Sequence, residues 1–328
     1  MEKTVRDVPS MFSEMMILMS MSGKHEYSRN GEVLTLQEPL TVTVKNPLNR
    51  VLLDPVRQAN PYFHVMEFIW MMAGSNNPNW IKAFNSRFEE YADTNNEHNT
   101  PIIHGAYGHR WRNHFNLDQI HAAVDMLEYN PETRRVVLSM WDGNSDLHTN
   151  HNDLPCNTHI YLRVTEGKLN MTVCNRSNDV VWGMTGANAV HMTMLHELIA
   201  LAADIPIGKY IVFTNNAHFY TMNLPNAKEL LDVRYPVLPT DNNYGFYEGV
   251  PLLAEGEDLV DFFEDSVDFI SGMPKHYKFK CSWFDAVARP MYWAYMERLR
   301  GRSGEQSVEL IKDLNWRTAC EKWQEWKS

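Results

Sequence analysis

Leu154-Pro155-Cys156-Asn157 leads into His159-Ile-Tyr-Leu-Arg-Val164. Leu169-Asn-Met-Thr-Val-Cys174 follows, and then Asn175-Arg176-Ser177-Asn178-Asp179. The two apolar-rich runs read as strands. Met192 to Ala203 is apolar almost all round, which predicts a buried central helix rather than a surface one. Strands leading into a buried helix place the chain in the α/β class, in its α+β form. Cys156 sits after a proline and before a strand, where a thiol is presented at an edge. A lone cysteine is more often a small buried hydrophobe. What raises Cys156 above that reading is Arg176, since an arginine beside a thiol favours the thiolate. The same guanidinium can grip a phosphate with two hydrogen bonds.

Outward from this stretch, Met11–Met21 and Tyr62–Met72 have helical spacing, the latter with Gly74 as its stop, and Leu117–Tyr129 reads as an amphipathic helix. His25 to Gly31 reads as a turn. Val33–Leu36, Leu40–Val44, Arg135–Trp141 and Tyr210–Phe213 read as strands. The composition shifts near Pro236. Glu255–Ile270 is acidic and periodic, and residues 305–327 alternate charge with spaced apolar positions. The expected organisation is a catalytic domain over residues 1–236 and a helical extension over 237–328 packed on it.

The chain of 328 residues carries 30 Lys and Arg against 41 Asp and Glu, a formal charge of −11. Such a balance disfavours polymeric nucleic acid as a partner, because that needs a positive face. Hydrophobic content of 44% marks a globular chain. The four cysteines form no CxxC pair and read as reduced thiols. Met15–Met19 is too short an apolar run for a signal or a membrane span, so a soluble cytoplasmic protein is expected.

Six motifs in order then resemble the thymidylate synthase superfamily, which includes pyrimidine-nucleotide hydroxymethylases of some bacterial viruses. They are the helix His64-Val-Met-Glu67-Phe-Ile-Trp70, the segment Tyr107-Gly-His-Arg-Trp111-Arg112, and Asn130-Pro-Glu-Thr-Arg134-Arg135. Cys156 with Asn175-Arg176-Ser177-x-Asp179 comes next, then His218-Phe-Tyr220, with Arg29 of Ser-Arg-Asn-Gly ahead of them all. The resemblance implies a mixed sheet around a long buried helix and an obligate homodimer. Arg29, Arg176 and Ser177 would meet the phosphate of a pyrimidine nucleoside monophosphate, joined by Arg134 and Arg135 of the partner subunit. It implies Cys156 as nucleophile, Glu67 and Tyr107 organising proton transfer, Asp179 on the folate, and His218 and Tyr220 on the sugar. Asp179 also reads as a strand-to-helix cap. The co-substrate implied is methylenetetrahydrofolate, with no metal.

Asn188, in Gly186-Ala-Asn-Ala-Val-His191, is the candidate base reader. An amide there suits uracil, and its register carries one extra residue after Gly183, so Ala187 is the other candidate for the place. Methylating members of the family have histidine after the nucleophile, whereas Asn157 stands here. Their shielding tryptophans correspond to Phe88 and Tyr91, which would border the folate, and their short apolar tail to Trp323-Gln-Glu-Trp-Lys-Ser328. A weaker shield lets water compete with hydride. The expected reaction is therefore hydroxymethylation of dUMP, with methylation of dUMP or hydroxymethylation of dCMP as alternatives. A zinc deaminase would need PCxxC and HxE, and the third residue after Cys156 is His159. A nucleotide-binding scaffold would have no need of Cys156, Glu67 and Tyr107 together.

Overall fold

A computed structural model describes residues 1–28, 31–94, 100–221, 227–232, 249–272 and 277–327. The larger of its two sheets contains β1 (Glu2–Val5), β4 (Leu40–Val44), β5 (Val137–Ser139), β6 (Asn157–Thr165), β7 (Lys168–Asn175) and β9 (Ile207–Thr214). Their order is β1-β4-β9-β7-β6-β5, with β1 parallel to β4, β9 parallel to β7, and the other pairs antiparallel. The smaller sheet contains β2 (Lys24–Ser28), β3 (Gly31–Thr35), β8 (Asn178–Asp179) and β10 (Ala217–Tyr220), in the order β2-β3-β10-β8. The fold is the mixed α/β arrangement anticipated from the sequence.

Three helices fill the space around the sheets. α1 is Val8–Ser22, capped by the Asp7 carboxylate. α2 is Pro61–Met72, begun by the Asn60 side chain accepting from the Phe63 amide and ended at Gly74, whose φ of +65° suits glycine. Every residue of α2 is buried except Glu67, which is partly so. Ala187–Ala202 forms the central helix, here α3, with buried Met192, Leu195, Leu198 and Ile199. Apolar side chains on all faces are what a helix enclosed by other elements requires.

The described parts of 259–272 and 277–327 are largely helical. α4 (Leu259–Ile270) lays Phe262 against Phe68 of α2, ring centroids 6.2 Å apart. α5 (Leu314–Trp326) lays Trp323 edge-on to Tyr62 at 5.5 Å, and its Gln324 donates to the Tyr62 hydroxyl at 2.8 Å. Full burial of one such aromatic contributes ~2 kcal/mol, so these helices hold α2, and with it Glu67, from behind. The boundary expected at residue 236 lies outside the described residues.

Some local expectations are corrected. His25–Ser28, read as part of a turn, belongs to the strand Lys24–Ser28 paired with β3. All five of its residues are exposed, so it carries no apolar alternation to read. β1 escaped for a similar reason, with only Val5 buried. The strand expected over 135–141 is shorter, Val137–Ser139.

Candidate active site

Cys156 stands at the head of β6, beside a register shift in the β6–β7 ladder between Asn157 and His159. A bulge there turns the strand and re-aims the residue before it. Arg176, just past the end of β7, fastens this corner. Its amide donates to the Cys156 carbonyl at 3.0 Å. Its Nε donates to the Pro155 carbonyl at 2.9 Å and its Nη2 to the Leu154 carbonyl at 3.1 Å. The same Nη2 lies 3.9 Å from the Cys156 sulfur. A fixed cation at that distance favours the thiolate.

Tyr107 closes the other side. Its hydroxyl accepts from the Asn157 amide at 3.4 Å, and burial, then the neighbouring Cys156, holds the phenol well above its usual range. Gly108 explains why this segment can lie so close to α2. A Cβ there would stand 2.0 Å from the Met71 carbonyl oxygen, so only glycine fits. Behind Tyr107, Arg110 is fully buried and binds Asp146 with two hydrogen bonds of 2.8 and 3.1 Å.

Glu67 projects from α2 into this space. Burial, then the Asp153 charge, pushes its carboxyl up to about 8, so it holds a proton at neutral pH. His191 of α3 approaches it, Nε2 to Oε2, at 3.5 Å and also meets the His64 carbonyl at 3.0 Å. Burial lowers His191 to about 3, so the imidazole is neutral.

The smaller sheet carries the remaining groups. β8 and β10 run parallel with His218 opposite Asp179. His218 Nδ1 lies 3.2 Å from Asn216 Oδ1 and 3.4 Å from Ser177 Oγ, and its ring meets Tyr220 edge-on at 5.0 Å. Burial lowers His218 and raises Asp179. Asp179 Oδ1 accepts the Val181 and Trp182 amides at 2.7 and 2.9 Å, capping a π-helical turn over Val180–Met184. The cap foreseen for this aspartate is therefore made. Asn188 lies near Gly183, where a Cβ would stand 3.1 Å from its Nδ2 and 2.3 Å from the Asn178 Oδ1.

The remaining candidates are placed as follows. Arg134 and Arg135 are exposed and have no partner among the described residues. Phe88 is 7% exposed and packs edge-on against Trp70 and Phe63. Tyr91 is 39% exposed, and its phenol is raised by burial, with Asp153 and Asp179 among the charges it feels. Arg29 lies outside the described residues.

Sequence reasoning passed over Asp153, Arg57 and Trp182. Arg57 lies over the Trp182 ring at 4.5 Å and donates to the Val181 carbonyl at 3.4 Å. Burial lowers its guanidinium to about 10, with Asp179 opposing that shift. Nothing in the sequence spacing ties Arg57 to Trp182. Asp153 had a signal in its place three residues ahead of Cys156.

This geometry accords with what comparisons return. The sequence model of the family described as thymidylate synthase matches residues 12–241. A deoxyuridylate hydroxymethyltransferase of Pseudomonas phage M6 is 36% identical over 294 residues, covering 88% of this chain and 82% of that one. One of Bacillus phage SP01 is 29% identical over 237 residues, covering 68% of this chain and 58% of that one. A thymidylate synthase of Corynebacterium aurimucosum is 30% identical over 224 residues, 65% of this chain and 76% of that one. No helix among the described residues is long and apolar enough to cross a membrane. The chain is a one-carbon transferase and belongs to the thymidylate synthase family.

Proposed function

We propose that the chain hydroxymethylates C5 of dUMP, taking the one-carbon unit from methylenetetrahydrofolate and adding water to complete the product. The observation that carries the chemistry is Cys156 set between the Arg176 guanidinium and the Tyr107 hydroxyl. The choice of product is supported by the names of the phage relatives.

C5 of a pyrimidine is a weak nucleophile. The Cys156 thiolate adds to C6, the ring becomes an enolate, and C5 gains the electron density to form a bond to carbon. Glu67, protonated by burial, holds a proton at the ring's polar edge, and the neutral His191 keeps its carboxyl oriented. Tyr107 keeps the strand bearing Cys156 in place and lines the path of the C5 proton. Ser177 and Arg176 take the phosphate. Arg134 and Arg135, exposed and unpaired among the described residues, join it from the partner subunit of a homodimer, as the family resemblance implies. His218 and Tyr220 bind the sugar, and Asn188 reads uracil.

Bound folate supplies the carbon at the oxidation level of formaldehyde. The residues present fit it. Asp179 Oδ2 carries no hydrogen bond among the described residues, and the Trp182 indole Nε1 and Arg57 Nε are buried without partners. Tyr91 borders the same region. These groups would hold the pterin.

The test is the mass of the nucleotide after incubation with methylenetetrahydrofolate and either dUMP or dCMP, with dihydrofolate absorbance followed alongside. Hydroxymethyl-dUMP without dihydrofolate supports the reading. Methylated nucleotide with equal dihydrofolate overturns it.

A further inference from the structure

The water step needs a base, and neither Glu67 nor Tyr107, the two groups placed on proton transfer, supplies it. As water adds to the methylene carried on C5, its oxygen forms the new C–O bond. The exocyclic double-bond electrons move onto C4–O4 as an enolate, and one water proton must leave. The enolate then expels the Cys156 sulfur from C6, restoring the C5–C6 double bond and the thiolate. Nothing is oxidised or reduced, and one proton per turnover needs an acceptor. Glu67 already holds its proton at neutral pH. So does Tyr107.

We propose that Asp153 is the general base that takes the proton from the attacking water, a reading that rests on the hydroxymethylation proposed above and assigns its last step. Asp153 lies three residues before Cys156 on the same loop. Its Oδ2 accepts the Gly105 amide at 3.1 Å, while two residues on from Gly105 the Tyr107 hydroxyl accepts the Asn157 amide at 3.4 Å. Segments 105–107 and 153–157 are thus stitched at two points, with Cys156 between them. The approach is as close as backbone permits, because a Cβ on Gly105 would stand 2.6 Å from Asp153 Oδ2 and 2.9 Å from the Pro155 nitrogen. This fixes one carboxylate oxygen and leaves Oδ1 without a hydrogen bond among the described residues.

The charges around Asp153 point the same way. Arg176 and Arg110 face it, yet Arg176 gives its Nε and Nη2 to the Pro155 and Leu154 carbonyls, not to Asp153, and Arg110 pairs with Asp146. Asp153 makes no ion pair among the described residues. Asp153 is half-buried, and a structural carboxylate drawn that far from water is ordinarily paired, since an uncompensated charge is costly. Burial raises its carboxyl to about 6, opposed by the Gly105 amide and the two arginines and aided by Asp93. Glu67 in turn is raised by Asp153 to about 8. Two carboxyls whose surroundings set them apart, one protonated and one ionised at neutral pH, form an acid and base pair.

The test compares wild type with Asp153→Asn, which keeps an oxygen for the Gly105 amide, and with Asp153→Glu, which keeps the carboxylate on a longer arm. With methylenetetrahydrofolate and dUMP tritiated at C5, tritium release reports Cys156 addition and C5 proton loss, both ahead of the water step. The expected result for Asp153→Asn is tritium release within a few-fold of wild type and product formation down about a hundredfold, as loss of a general base implies. A protein–nucleotide adduct should accumulate in the mass spectrum, the acidic limb of the pH–rate profile should vanish, and Asp153→Glu should recover part of the rate. Asp153→Asn at full rate, or tritium release and product falling in parallel, would overturn the assignment. If wild type makes a methylated nucleotide, the hydroxymethylation reading fails and this base with it. A hydroxymethylated product with an undiminished Asn variant removes this base alone.

Discussion

Glu67→Gln should make the protein more stable and nearly inactive, and the two effects should separate with pH. The carboxyl is 17% exposed and held at about 8 against an ordinary 4.5. Because the folded state binds this proton more tightly than the unfolded chain, its stabilising effect is complete below pH 4.5. It is lost progressively as pH rises, and the loss ends near 8. At pH 7 the folded chain has forfeited ~3 kcal/mol relative to its acid limit, and well above pH 8 ~5 kcal/mol. Glutamine has the same shape and no proton to lose, so the variant escapes that decline. With an unfolding entropy of roughly 2 cal/mol/K per residue, a gain of ~3 kcal/mol raises Tm by about 4 °C for a chain of this length. Melting curves of both proteins at equal concentration and at pH 5, 7 and 8.5 are the assay. The curves should nearly coincide at pH 5 and diverge upward, together with loss of tritium release from C5 in the variant. A constant separation across pH, or a variant less stable at pH 8.5, would refute the claim that Glu67 is held protonated.

Three further outcomes follow from the geometry. Arg176→Lys cannot reach both the Leu154 and Pro155 carbonyls and the sulfur together. Steady-state kinetics should show kcat/KM for dUMP down about a hundredfold, because a lysine does not replace a forked guanidinium; a change under threefold would contradict the role given to Arg176. Gly108→Ala places a methyl on the Met71 carbonyl, and denaturant unfolding should show a loss of about 3 kcal/mol; unchanged stability would mean that the close approach is not tight. Asn188→Asp should shift the ratio of kcat/KM for dUMP over dCMP about tenfold toward dCMP; an unchanged ratio would pass the base-reading role to another residue.

How far the sequence could be read depended on the signal each element carries. α2 and α3 were legible because their apolar faces are continuous and Gly74 marks the end of α2. β6 and β7 were legible from their apolar content. β2 was not, because an exposed polar edge strand has no periodic face, and its strand character comes from pairing with β3. In the site, Cys156 and Arg176 were singled out together because the arginine's segment follows the cysteine by about twenty residues, and Ser177 through the family pattern. Glu67 and His218 were found through the family pattern. Asp153 was overlooked because its chemistry lies in what surrounds it: Gly105 against its carboxylate, and two arginines already committed elsewhere. Arg57 and Trp182 meet only in three dimensions. Phe88 shows the converse limit. An aromatic at the right spacing can serve the core, and here its ring packs on Trp70 and Phe63.

The central claim is that water, and not hydride, completes the group on C5. The most direct measurement is turnover of dUMP with methylenetetrahydrofolate in heavy-oxygen water, with the product nucleotide analysed by mass spectrometry. The expected product is a hydroxymethyl group carrying the heavy oxygen, with no dihydrofolate. A methyl group without the label, formed with one equivalent of dihydrofolate, would contradict it.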